Sequence, residues 1–226
     1  MQEQFRRARV DSGFSLIELM IAMAVTLAIM VMSSQLILGA LRVRGRENQR
    51  SEALADAQRA LYVMSREIGN SGFGLADNGL VAADSGLSSI RVRANFNAMD
   101  GQLTSTSTSD SDEDVEYKLY TNGTDSFIVR FDTNTGARTK ILANRVDSLN
   151  IRYYADKVSY TSANCDITTD AGTSEVAQKS DAKYVVMTVC VQLPAQGSPG
   201  STGYQPVSRL QLTSDVTLRN ADLTNY

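Results

Sequence analysis

The chain has 226 residues, a formal net charge of −3, two cysteines and no histidine or tryptophan. Without histidine there is no His-dependent triad, no His metal ligand and none of the commonest general base, and two thiols cannot build a four-thiolate metal site. The weak negative charge leaves no electrostatic footprint for a nucleic-acid binder, so no nucleic-acid partner is implied.

Residues 1–13 are polar and carry Arg6, Arg7 and Arg9. From Phe14 to Leu41 the only charge is Glu18. A helix of that length would run roughly 42 Å, more than the roughly 30 Å of a bilayer's hydrocarbon core. A secretory signal peptide has a shorter apolar region followed by a small-residue cleavage site; here the run is too long, and the small residue, Gly13, precedes it. Arg42, Arg44, Arg46 and Arg50 follow the span, so a count of positive charges does not orient it. Glu18 is the costly residue, because a carboxylate near a bilayer centre costs roughly 2.5–3.5 kcal/mol on insertion scales. Either it lies at the interface and snorkels, or it has a cationic partner.

Gly13-Phe14-Ser15-Leu16-Ile17-Glu18-Leu19 resembles the processing motif of type IV prepilins and type II secretion pseudopilins. The resemblance implies a membrane prepilin peptidase that cuts on the cytosolic side after Gly13 and N-methylates Phe14. It implies that Glu18 registers each subunit against a neighbour's N-terminal amine. It also orients the helix, with the leader cytosolic and the remainder periplasmic, in an inner-membrane precursor destined for a pilus or pseudopilus. The implied partners are the peptidase, other minor pilins, a major pilin and inner-membrane lipid. Such a role suits the residue, since a buried anion needs a counter-ion. Cleavage creates an α-amino cation one helical turn away, and methylation keeps its charge.

Leu54, Ala57, Leu61, Met64 and Ile68 recur at steps of three and four, so an amphipathic helix is expected to continue from the span. Gly39 and Gly45 are expected soft spots, and Gly69 an expected stop. Alternation then predicts strands around Ile90–Phe96, Val115–Leu119, Phe127–Phe131 and Val146–Tyr153. Thr121-Asn122-Gly123-Thr124 and Thr133-Asn134-Thr135-Gly136 read as turns. Two longer strands, Lys183–Leu193 and Val207–Arg219, flank a loop holding Pro194, Pro199 and Pro206.

The expected fold is α+β: a long N-terminal helix, membrane-spanning in its first half, packed on an antiparallel β-sheet head. The expected divisions are a leader at 1–13, a transmembrane and assembly helix at 14–41, its amphipathic continuation at 42–68 and a β-rich head at 69–226. Leu142–Tyr153, Val216–Asn220 and Ser71-Gly72-Phe73 resemble minor pilins of the PilW kind and minor pseudopilin J of type II secretion. Residues 155–182 resemble nothing placed.

Asp110, Asp112 and Asp114 open a segment like a calcium loop, but an EF-hand needs glycine sixth and glutamate twelfth. Those places hold Val115 and Thr121. A looser calcium site is one reading of the three aspartates and a solvated loop the other; no other cofactor is expected. Cys165 and Cys190 are the sole cysteine pair. In an exported head the expectation is a disulfide, the alternative a buried free thiol at Cys190. The resemblance favours a non-enzymatic minor pilin of a type IV pilus. Its rivals are a minor pseudopilin and a membrane-tethered ligand-binding or adhesin module.

Overall fold

The structure is a computed structural model that describes residues 14–97, 107–123, 125–142, 145–170 and 173–221. One helix, α1 (Leu16–Gly69), runs unbroken for 54 residues, roughly 80 Å. Among the described residues nine strands follow in chain order: β1 (Ser89–Arg93), β2 (Asp114–Asn122), β3 (Asp125–Asp132), β4 (Arg138–Leu142), β5 (Val146–Tyr154), β6 (Tyr160–Ala163), β7 (Asp166–Thr169), β8 (Tyr184–Leu193) and β9 (Ser208–Thr217). They form antiparallel sheets of order β1-β2-β3-β4 and β5-β8-β9, with a separate β6-β7 hairpin. This is the long helix on antiparallel sheets that the sequence predicts.

The buried side of α1 differs from the predicted stripe. Ala53, Ala57, Ala60, Leu61, Met64 and Ile68 are buried, whereas Leu54 is 39% exposed. Alanine at 53, 57 and 60 lets the helix backbone approach the sheets closely, and this turns Leu54 outward. Gly69 is still helical, and a Cβ there would lie 3.1 Å from Val216 Cγ2. The glycine is a packing requirement. The helix stops one residue later, at Asn70, whose N–H donates back to the Glu67 carbonyl, while Ser71 N–H donates to that of Ile68.

The helix runs unbroken through Gly39 and Gly45. Both face the β8–β9 connection, where Cβ atoms would stand 3.1 Å from Thr202 Cγ2 and 3.6 Å from Gln196 Oε1. The first strand ends at Arg93, short of the predicted Phe96, which is 44% exposed and stacked on Phe73. Strand β4 lacks apolar alternation and escapes sequence reading.

Strand β8 is buried almost end to end, because both its faces are covered. Val185, Met187, Val189 and Val191 join the main core with Met64, Ile68, Leu149 and Ile151. On the other face Tyr184 and Val186 form a small cluster with Tyr154 and Ile167. That second cover comes from the 155–182 region. The Tyr160 and Tyr184 hydroxyls both donate to Asp215, at 2.9 and 2.6 Å. Burial and the Asp215 carboxylate push the Tyr160 phenol up to about 12. Arg152 pairs with Glu175 at 2.6 Å and Asp166 at 3.0 Å, and Cys165 is joined to Cys190 by a disulfide.

Candidate assembly site

The helix start is set by local chemistry. Ser15 is the N-cap, with extended φ/ψ of −69° and 140°, and Glu18 occupies the third helical position. The Glu18 carboxylate accepts the Ser15 N–H at 3.4 Å, while Leu19 N–H donates to the Ser15 carbonyl at 3.1 Å. This is a capping box, which satisfies orphan donors at a helix start. The Ser-x-x-Glu spacing that signals it lies in the sequence, overshadowed there by the cost of placing Glu18 in an apolar span. Gly13 lies outside the described residues. Phe14 is 87% exposed.

Every residue from Phe14 to Leu38 is exposed, Glu18 included. The first buried residue of α1 is Gly39. An 18-residue window of α1 reaches a mean hydropathy of 2.3, apolar enough by length and composition to cross a membrane. Soluble monomers rarely leave so large an apolar surface uncovered; lipid or other chains are its natural surroundings. The Glu18 carboxylate is thus presented on an uncovered apolar helix, four residues after Phe14.

Residues 9–34 match the prokaryotic N-terminal methylation motif. The match takes in Gly13, Phe14 and Glu18, and the motif implies processing by prepilin peptidase and an inner-membrane precursor. A solved structure, the type IV-like pilin TTHA1219 from Thermus thermophilus, is 14% identical, with 74% of this chain and 97% of that chain covered at a TM-score of 0.43. No curated protein matches the chain.

The three aspartates of the acidic segment go to different partners. Asp114 is buried and takes a bidentate pair from Arg91 at 2.7 Å, with Arg93 at 3.3 Å. Asp112 pairs with Arg130 at 2.7 Å, and Asp110 accepts from the Asn97 amide. Among the described residues no three His, Cys, Asp or Glu side chains converge as a metal cluster. The organising carboxylate of this region is Asp132, which accepts the N–H groups of Asp112, Asn134 and Thr135 at 2.9–3.2 Å. Burial pushes its pKa up, but these donors outweigh burial and hold it below the usual range.

Glu67 fastens the far end of α1 to the first sheet. It accepts from the Tyr117 hydroxyl at 2.5 Å and pairs with Arg130 at 3.0 Å. Burial, then the Glu67 charge, raises the Tyr117 phenol well above its ordinary value. Arg46 is 6% exposed and donates to the carbonyls of Pro194 and Pro206 and to Ser208 Oγ. In sequence it is one of four similar arginines after the apolar run, and nothing there marks it out.

Proposed function

We propose that the chain is a minor pilin: a structural subunit, cut after Gly13 and methylated at Phe14, that helps to prime a type IV pilus. The observation that carries this reading is the joining of two features on one helix. Its first half is uncovered apolar surface headed by a processing motif, and its second half is built into a folded head. Such an element is suited to lateral packing against copies of the same helix, with Glu18 meeting an N-terminal amine. Two of the segments that resemble PilW-type proteins, Val216–Asn220 and Ser71-Gly72-Phe73, lie together. Asn220 donates to the carbonyls of Asn70 and Ser71, at 3.3 and 3.0 Å, beside Ser71-Gly72-Phe73.

The test is N-terminal sequencing of the mature chain, with piliation scored after deletion of its gene. The expected start is an N-methylated Phe14, and replacement of Gly13 by a bulky residue should leave only precursor. A different mature start overturns the reading. Lost protein secretion with intact pili would assign the chain to a type II secretion pseudopilus.

A further inference from the structure

Residues 194–207 connect β8 to β9 and project beyond the sheet along α1. The loop is ordered by its own bonds: Gln196 and Gln205 exchange backbone hydrogen bonds at 2.8 and 3.0 Å, and Tyr204 N–H donates to the Ser201 carbonyl at 3.0 Å. It grips the helix at three levels. Arg46 holds its base through the Pro194 and Pro206 carbonyls. Arg42 Nη1 donates to Ser201 Oγ at 3.1 Å and to the Thr202 carbonyl at 2.7 Å. At the tip Gly203 lies on Gly39, so closely that a Cβ on Gly203 would stand 2.8 Å from Gly39 Cα. Gly203 also has a φ of +76°, a conformation that side-chain-bearing residues rarely take.

The position of this grip is informative. Leu16–Leu38 is 23 residues, roughly 34 Å of helix, close to one hydrocarbon thickness of roughly 30 Å. The loop therefore meets α1 where a bilayer-spanning stretch has just been completed. Its composition fits that level. In a chain that is 21% charged, residues 194–207 contain no Asp, Glu, Lys or Arg. They carry one aromatic residue, Tyr204, a type enriched at membrane–water interfaces. Arg42 stands at the same height with Arg44 exposed beside it, as suits cations facing lipid phosphate.

We propose that the 194–207 loop is a membrane-surface foot, resting in the phospholipid headgroup layer on the head's side of the bilayer and fixing how deep α1 sits. This rests on the membrane-anchored reading above. The foot halts the helix at Gly39, and the two glycines permit the contact that sets this level. Before assembly, the head is held at one height with Phe14 and Glu18 at the opposite face.

The absence of tryptophan supplies the experiment. Single-tryptophan variants of the full chain, Leu36→Trp, Tyr204→Trp and Tyr62→Trp, are reconstituted in phosphatidylethanolamine–phosphatidylglycerol vesicles. Fluorescence is then quenched by lipids labelled either near the headgroup or deep in the acyl chain. Leu36→Trp should be quenched and Tyr62→Trp by neither label. Tyr204→Trp should be quenched about twofold more by the shallow label than by the deep one, as for an interfacial aromatic. Adding Gly203→Val should lift the tip off Gly39 and reduce the shallow quenching about twofold, by steric exclusion at a positive φ. Unquenched Tyr204→Trp beside quenched Leu36→Trp overturns the foot while leaving the anchor intact. Unquenched Leu36→Trp overturns the anchor and the foot with it. Shallow quenching unchanged by Gly203→Val overturns the role of the glycine contact.

Discussion

The two halves of α1 belong to one unbroken helix but obey different rules. From Leu16 to Leu38 it is apolar apart from Glu18 and a few small polar residues, and nothing among the described residues covers it. From Gly39 to Gly69 it is amphipathic, and its buried side mixes glycine and alanine with Arg46, Leu61, Met64 and Ile68. The first half obtains its burial from lipid or other subunits, so its sequence needs only apolar character and one placed carboxylate. The second half must fit particular strands, so single methyl groups matter there.

This contrast orders the expected effects of substitution. The largest belongs to Glu18→Leu. It should insert and be cut, because it removes a charge from the span. Incorporation into filaments should fall on the order of a hundredfold, because stranding one member of a desolvated ion pair costs about 3–5 kcal/mol. Immunoblots of sheared filaments against membranes measure this, and normal incorporation would break the charge-pair account. Thermal unfolding of the head should be unchanged.

In the second half the readouts exchange places. Met64→Ala should cost about 2–5 kcal/mol of head stability through the cavity it leaves, measured by denaturant unfolding, with processing at Gly13 unaffected. Met30→Ala, on the uncovered half, should leave head stability unchanged; a comparable loss there would erase the distinction between the halves.

Cys165→Ser, or reduction, should cost roughly 3.5 kcal/mol by the chain-entropy estimate for a loop of this size. The first new proteolytic cuts should fall in 166–181, since this region holds β8 through few apolar residues besides Ile167 and Tyr160. Recovery of both thiols in alkylatable form from exported protein would refute the pairing in the cell.

The smallest effect is acid loosening of the head. Burial raises the Asp132 carboxyl, but the amides of Asp112, Thr135 and Asn134 bring it below its ordinary value, and the Ile167 amide and Arg152 lower Asp166. A carboxylate with a depressed folded pKa stabilises the fold fully above its unfolded value, about 3.9, and loses that contribution as pH falls through the folded value. Amide exchange at Asp112, Asn134 and Thr135 should therefore quicken below about pH 4 while α1 holds.

The sequence alone determined the elements whose signals are local. Gly13-Phe14 and Glu18 before a long apolar run, a helix continuing without proline, and alternating strands with Asn-Gly and Thr-Gly turns all depend on near neighbours along the chain. Periodicity also brought out most of the buried side of α1. It missed the rotation that exposes Leu54, because hydropathy does not encode how closely alanines allow a sheet to approach. Only the tertiary structure decided why Gly39 is glycine, which of the arginines is buried, and what packs on the outer face of β8. Gly39 answers to Gly203, Arg46 to carbonyls beyond position 190, and Cys165 to the outer face of β8. Each depends on partners far away in the chain, and such long-range contacts leave no periodicity to read.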